Sequence, residues 1–230
     1  MKEPRGLLSH AMLAGVTLTL TLTSLSSQTV SRDPLKQPVR VRLAAANTPD
    51  RVAQALMDAE IPGGLALIHY CGGFPEHSLK PATLSLRGLL DAVVSADPQY
   101  SWEMDKGVVN LVPRYGAFHV LETRISKLDL ENVKTPDEAL NRLLALPEVE
   151  AQTRRELGSR VFQGGAFAYP ATLDLDAKGA KTFSVTATNI TLRDALNLIA
   201  ISHGKAVWVL ARGECANNVR KSFSIKFIYK

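Results

Sequence analysis

The residues best suited to chemistry in this chain are two histidines and a cysteine that lie close together, His69, Cys71 and His77. Imidazole and thiolate groups bind zinc or copper, and His69 and Cys71 would share one face of a strand. A closed zinc site needs four ligands, however, and no second ligand pair repeats this spacing. We therefore expect neither a metal site nor any other bound cofactor.

The two cysteines of the chain are Cys71 and Cys215. This count excludes a disulfide-dense scaffold and a four-cysteine zinc site. Neither cysteine lies in the local signature of a catalytic nucleophile. In an exported protein we expect the two to form one disulfide, and the alternative is two unpaired thiols.

Other patterns that support catalysis are weak. Three glycine pairs, at 63–64, 72–73 and 164–165, lack the spacing of phosphate-binding loops and are typical of turns. Glutamates and arginines interleave along 148–160, which favours a solvated helix face over a catalytic carboxylate pair. We find no nucleophile-elbow, zinc-protease or paired-acid motif. We expect a non-enzymatic protein, and the alternative is an enzyme whose groups converge from distant positions.

Two tryptophans are candidates for an interaction surface, because an indole can stack on sugars, on bases or on a partner protein. Trp102 and Trp208 occupy comparable positions in two apolar, strand-like runs. The alternative is that both belong to the core, where an indole in an apolar run is more often found.

The C-terminal segment is a second candidate interaction surface. Phe223 and Ile225 alternate with polar residues, which predicts a strand with one apolar face. As the last strand in sequence it is a candidate sheet edge, where unpaired backbone groups accept a partner strand. Lys226 and Lys230 would select an acidic partner there, or would instead protect a solvated edge from pairing.

Composition places the chain among folded globular proteins. Of its 230 residues, 46% are hydrophobic and 21% are charged, which excludes fibrous and disordered proteins. The formal net charge of +5 is well below that of a dedicated nucleic-acid binder. Nucleic-acid binding is therefore the third of our functional hypotheses.

The first 26 residues predict a signal peptide. Lys2 and Arg5 form a short positive start, and residues 11–25 are uncharged and mainly apolar. That stretch is too short for a comfortable membrane span. We expect it to be cleaved near Ser27, and the alternatives are an uncleaved anchor or a cytoplasmic apolar extension. Beyond residue 26 we expect no membrane span.

A helix-start pattern occurs four times along the chain. Each occurrence has a Ser or Thr, then Pro or Leu, then Asp or Arg, followed by apolar residues at helical spacing. The Ser or Thr hydroxyl can accept a hydrogen bond from the first helical turn. These four cassettes begin at Thr48, Ser85, Thr135 and Thr191.

The cassettes alternate in type, which indicates a duplicated unit of two helices. Strand-like runs surround each pair, so we expect an α+β fold of two tandem small sheets, each covered by two helices. The units are predicted at 35–113 and 118–230, and an insertion at 147–182 lengthens the second. Asp105-Lys106-Gly107 predicts a hairpin turn in the first unit.

Two stretches of the chain resemble a known domain. Residues 183–200 (FSVTATNITLRDALNLIA), followed by 203–208 (HGKAVW), are similar to the short N-terminal domain of outer-membrane secretins and TonB-dependent receptors. Residues 84–96, 100–104 and 107–112 are similar to the same module. In that family an alternating strand leads into a helix with this start, and a short hairpin closes the unit. The resemblance implies periplasmic location and docking between proteins, without a catalytic motif.

These observations together favour an exported, non-enzymatic interaction or adaptor protein, periplasmic or secreted, in a bacterial envelope. The expected partner is another envelope protein. The alternative is an envelope enzyme or a cell-wall-binding protein with a site between the two units. The pore and transport functions of the resembled families have no counterpart in the residues described above.

Overall fold

A computed structural model describes residues 33–40, 48–70, 83–114, 118–157, 182–214 and 222–229. Its strands are β1 (Pro38–Arg40), β2 (Gly63–Tyr70), β3 (Thr83–Ser85), β4 (Tyr100–Asp105), β5 (Val108–Pro113), β6 (Arg124–Val133), β7 (Phe183–Thr191), β8 (Ala206–Glu214) and β9 (Ser222–Tyr229). Its helices are α1 (Thr48–Asp58), α2 (Leu86–Ala96), α3 (Pro136–Leu144), α4 (Pro147–Leu157) and α5 (Leu192–His203). The predicted mixed α+β fold is confirmed. The predicted signal peptide lies outside the described residues.

Four of the five helices begin at the hydroxyl residues of the cassettes, and α4, at Pro147, is the exception among the described residues. The Ser85 hydroxyl accepts from the Gly88 N–H at 3.1 Å. Thr191 and Asp194 form a complete capping box, because each side chain accepts from the other residue's backbone N–H. Burial raises the pKa of the Asp194 carboxyl, but the two hydrogen bonds from Thr191 outweigh it and lower the pKa overall. This start therefore favours the ionised carboxylate.

The start of α3 is close to a capping box but does not complete one. The Thr135 hydroxyl accepts from the Glu138 N–H at 3.1 Å as expected. The Glu138 carboxylate, however, accepts from the N–H of Lys134 at 2.9 Å, one residue earlier than the box requires. The hydrogen bond from Lys134 lowers the pKa of Glu138. The Glu138 side chain thus closes a hydrogen-bonded loop that is one residue longer than that of a capping box.

The apolar stripes of all four cassettes are buried, as their helical spacing predicted. Fourteen of their sixteen apolar members are 4% exposed or less, and the other two, Val94 and Leu144, are partly buried and pack against the two cores. The fully buried members, at 0% exposure, are Val52, Leu56, Leu89, Leu90, Ala139, Leu143, Ala195, Leu196, Ile199 and Ala200. The stripes therefore carry the packing of both halves of the chain.

The largest sheet has five strands in the order β4-β5-β2-β8-β9. The hairpins β4-β5 and β8-β9 are antiparallel, whereas β2 runs parallel to both β5 and β8. Two further sheets, β1-β3 and β6-β7, have two antiparallel strands each. The central strand β2 therefore joins one hairpin from each half of the chain.

Apolar layers cover both faces of the five-stranded sheet. On one face, Leu65 and Leu67 of β2 pack in a core with α1, α2 and β1. On the other face, Ala66 and Ile68 pack in a second core with α3, α5, β6 and β7. Successive strand residues point to opposite faces, so β2 contributes to both cores along its whole length. This arrangement is typical of parallel pairing, which needs both faces covered.

The observed sheet differs from the prediction of two tandem small sheets. The segments predicted as separate units, 35–113 and 118–230, share it, because β2 pairs with β8 over eight register positions. All described residues belong to one compact unit, Arg32–Lys230. The glycine pair at 63–64 also opens β2 instead of forming a turn. Helix stripes are local patterns, whereas the order of strands depends on pairings far apart in sequence.

The duplication itself is visible in the second half of each repeat. Every residue from Leu86 to Trp102 corresponds to the residue 106 positions later, from Leu192 to Trp208. Helix α2 and hairpin β4-β5 therefore correspond to α5 and β8-β9. The repeats differ after their first helix, since α1 leads into β2 while α3 leads into α4.

Two strands were not predicted. Strand β3 has only three residues. Strand β6 is long, but its buried residues Ile125, Leu128, Leu130 and Val133 do not alternate strictly. Its register with β7 shifts between Leu130 and Val133, where Asn132 has φ of 51°. Such a bulge breaks the period of two on which strand prediction depends.

The equivalent leucines Leu90, Leu140 and Leu196 test the importance of the stripes. Each is at most 2% exposed, so replacing any of them with alanine should lower the free energy of unfolding by about 2–5 kcal/mol. Chemical denaturation of the purified variants measures this. The matched control is Ile201→Ala on α5, which should cost below about 1 kcal/mol because Ile201 is 39% exposed. Leucine variants as stable as the control would contradict the assigned core.

Candidate functional site

Because layers cover both faces of the five-stranded sheet, its two edges are the places where backbone groups are available to a partner. Among the described residues, β4 forms one edge and β9 the other. Of the predicted interaction residues that the structure describes, all but Trp208 lie on these two edge strands.

At the β9 edge, the start of α3 covers part of the strand. The Asp137 carboxylate accepts from the Phe227 backbone N–H and, at 2.9 Å, from the Tyr229 hydroxyl. Burial raises the pKa of Asp137 against the opposing effect of these two hydrogen bonds. Burial, together with the nearby Asp137, raises the pKa of Tyr229 to about 12. The edge amide of Phe227 is thus already satisfied within the chain.

A histidine extends this cluster. The ring of His203, the last residue of α5, lies edge-on to Tyr229 with centroids 5.3 Å apart and to Phe183 with centroids 6.0 Å apart. Burial lowers the pKa of His203. Its Nδ1 atom has no hydrogen-bond partner among the described residues. The surroundings therefore favour a neutral imidazole.

The strand predicted over 223–230 is present as β9, Ser222–Tyr229, but it does not have one apolar face. Ile225 packs in the core with α3 and α5, whereas Ile228 packs on the opposite side of the sheet. The reason is that helices cover both faces here, which an isolated alternating segment cannot reveal. Lys226 is half-buried. The side chain of Phe223 and all of Lys230 lie outside the described residues.

Trp208 belongs to the core. It is fully buried, and its Nε1 donates to Asn197 Oδ1 at 2.8 Å. The indole lies directly over Gly64 of β2, where any added Cβ would overlap the ring. Of the two roles considered for this tryptophan, the structure thus assigns core packing.

Trp102 occupies the corresponding position in the first repeat, but on the edge strand β4. Its indole is half-buried, and its Nε1 donates to Asp91 Oδ1 at 2.9 Å. The Arg87 guanidinium lies over the ring, 5.3 Å from its centroid, in a cation–π contact. Asp91 and Asn197 are equivalent residues, so both repeats fix their tryptophan by the same bond. Only Trp102 is left beside an edge of the sheet.

An ion-pair bridge lies on the opposite face of β4 and was not predicted. Arg193 of α5 contacts Glu103 Oε1 at 3.5 Å and Glu122 Oε1 at 3.0 Å. It joins the hairpin of the first repeat to a helix of the second. These groups are partly exposed, so each pair contributes at most about 1 kcal/mol. No sequence signal connects residues so far apart.

Two open depressions lie beside α4, with volumes of about 450 and 380 Å³. Charged residues line them, and these groups largely contact one another: Arg154 pairs with Glu150, and Glu148 accepts from the N–H and hydroxyl of Ser126. This agrees with the interleaved, solvated helix face predicted from 148–160. Within the described ranges, no three metal-ligating side chains converge.

The predicted metal candidates Cys71 and His77 lie outside the described residues, as does the side chain of His69. None of the helices described by the structure is long and apolar enough to span a membrane. Comparisons of the chain with protein-family models, with curated proteins and with solved structures find no match.

The predicted disulfide partners Cys71 and Cys215 also lie outside the described residues. The residues that precede them, Tyr70 and Glu214, are register neighbours on the parallel strands β2 and β8. The disulfide itself stays a prediction. We expect thiol titration of the exported protein to find no free thiol before reduction.

The thermodynamic test of this disulfide uses serine variants. Cys71→Ser, Cys215→Ser and the double variant should each lose the same stability, about 3–5 kcal/mol in the chain-entropy account of a long loop. Equal losses in all three are the mark of a shared bond. Two reactive thiols in the folded protein, or losses that add in the double variant, would contradict it.

His203 gives the folded protein a pH-dependent stability. Because burial lowers its pKa below 6.5, the imidazole is protonated at a higher pH in the unfolded chain than in the folded protein. The stability of the folded protein therefore falls as the pH decreases through 6.5. His203→Gln should therefore show a smaller decrease in Tm between about pH 7 and about pH 5 than the unsubstituted protein. The control is His119→Gln, at an exposed residue. Identical pH profiles for both variants would show that His203 makes no such contribution.

Proposed function

We propose that this protein is a non-enzymatic interaction module of the bacterial cell envelope, where it acts as an adaptor between proteins. The observation that carries the proposal is the edge strand β4, which ends a sheet covered on both faces and presents Trp102 under Arg87. Tryptophan and arginine are the residues most enriched at the centres of protein interfaces. A strand edge beside them adds backbone groups for pairing.

The sequence supports an envelope location for this module. The apolar segment at 11–25 has the length of a signal-peptide core. The residues that resemble the periplasmic domain of secretins and TonB-dependent receptors form β7, α5 and β8 in the second half of the chain, and β3 to β5 in the first half. In those families the module docks with other proteins, which agrees with the proposed role.

The alternative of a catalytic or cell-wall-binding site between the two halves has less support. Where the halves meet, β2 pairs with β8 and the Trp208 indole lies over Gly64. The junction is thus filled by a continuous sheet and by buried side chains. For nucleic-acid binding, one of the two candidate stacking residues is in the core.

The test places a photocrosslinking amino acid at Glu103, an exposed residue of β4, in the full chain inside cells. We expect a discrete adduct with an envelope protein, recovered from a cell fraction in which the mature chain begins near Ser27. Trp102→Ala combined with Arg87→Ala should weaken the adduct at least about tenfold, since hot-spot residues are lost.

The control carries the crosslinker at Asn141, an exposed residue of α3 away from β4. It should not give the same adduct. A crosslink to nucleic acid, an intact Met1 in the cytoplasm, or equal adducts from Glu103 and Asn141 would each contradict the proposed function.

A further inference from the structure

We propose that the outer edge of β4 binds an extended segment of a partner protein that runs parallel to β4 and has glycine opposite Trp102. This inference rests on the proposed interaction function and specifies its ligand. It follows from the duplication, because the equivalent edge in the second repeat already holds such a strand.

The two edges hold their tryptophan alike, although Arg87 covers the Trp102 ring and its equivalent Arg193 contacts Glu103 and Glu122 instead. Trp102 and Trp208 are the same residue of the repeat, and each donates its indole N–H to the equivalent residue of the preceding helix, Asp91 or Asn197. The ring in each case lies on the helix-covered face of its strand. An occupant of either edge therefore meets an indole in the same position.

The edges are also equivalent in their backbone groups. In the first hairpin the Arg114 N–H donates to the Gln99 carbonyl at 2.7 Å. Antiparallel pairs alternate, so the backbone groups of Trp102 and Met104 point away from β5. In the second hairpin the Phe227 N–H points outward to Asp137, so the groups of its register partner Trp208 point away from β9.

The second repeat uses these outward groups to bind β2. Strand β2 runs parallel to β8, with Gly64 opposite Trp208 and Ala66 opposite Leu210. In the first repeat the same groups belong to Trp102 and Met104, and no described strand pairs with them. The geometry therefore defines both the direction of an added strand and its register.

The occupant needs a residue without a side chain opposite Trp102. At Gly64 an added Cβ would overlap the indole of Trp208. Trp102 is held by the equivalent hydrogen bond, so its ring restricts the incoming strand in the same way. A small residue opposite Met104 completes this face, as Ala66 does opposite Leu210.

The other face of the occupant should be basic. Leu65 of β2 lies opposite Val209, and Leu67 opposite Ala211. The residues of β4 that correspond to Val209 and Ala211 are Glu103 and Asp105, both exposed. Glu103 also contacts Arg193, at 3.5 Å. Two carboxylates at these positions favour lysine or arginine over leucine. The expected ligand is therefore an extended segment with the pattern glycine, basic, small, basic.

The test uses a synthetic peptide, Pro-Gly-Gly-Lys-Ala-Lys-Ile, which copies 62–68 of β2 with lysine in place of both leucines. The control peptide has valine in place of the second glycine. We titrate each into the full exported protein and follow the amide NMR signals of β4. The glycine peptide should bind saturably, and the valine peptide at least about tenfold more weakly, because its side chain meets the indole.

Two protein variants test which groups of β4 select and bind the glycine peptide. Trp102→Ala should bind both peptides equally, within about twofold, since the ring that excludes valine is gone. Met104→Pro removes an outward N–H without removing a hydrogen bond to β5, so it should fold and bind neither peptide. If Met104→Pro does not fold, the comparison of the two peptides on Trp102→Ala still decides the question.

The direction of the bound strand is measured with a nitroxide at either end of the glycine peptide. Parallel addition requires the N-terminal label to broaden signals near Tyr100 and the C-terminal label to broaden those near Lys106. The reverse pattern, equal binding of both peptides by the unsubstituted protein, or no binding would overturn the inference. If the crosslink from Glu103 persists without peptide binding, the interaction function stands and strand addition fails. If both are lost, both proposals fail.

Discussion

The rest of this structure depends on one strand, β2, which pairs with a hairpin of each repeat at the same time. Its first two residues show how tightly it is held, because a Cβ on Gly63 would overlap Leu56 and one on Gly64 would overlap Trp208. Those neighbours belong to the cores on opposite faces of the sheet. Two consecutive glycines thus let both repeats approach the same strand, and a substitution at either would disturb the packing of one half.

The features predicted from sequence are the local ones. The helix starts, the buried stripes and the Asp105-Lys106-Gly107 turn, where Lys106 and Gly107 both have positive φ, each depend on a few neighbouring residues. The shared sheet was not predicted, because a parallel pairing between β2 and β8 has no local pattern. For the same reason Trp102 and Trp208 look alike in sequence, although only the strand beside Trp208 buries it completely.

The sequence favoured the last strand, β9, as an interaction edge, whereas the proposed site lies at the β4 edge. The reason again lies in contacts between residues far apart in sequence. The Thr-Pro-Asp cassette at Thr135 was interpreted as a helix start alone. In the fold its Asp137 also accepts the edge amide of Phe227 and the hydroxyl of Tyr229. A single carboxylate therefore begins α3 and covers part of β9. The half-buried Tyr229 and His203 beside it add bulk to the same edge.

Across the sheet, the two hairpins place their first and second strands in the same order. Equivalent strands of the two hairpins run in opposite directions, and the helices of the two repeats cover opposite faces of the sheet. Such a head-to-tail arrangement leaves different edges at its two ends, and copies joined through unlike edges form open chains unless a rotation closes them. Covering Phe227 at the β9 edge works against growth of this kind, since one of the two surfaces it needs is already satisfied. The β4 edge then remains open to the strand addition proposed above, in which the tryptophan and the acidic residues there would determine which segments fit.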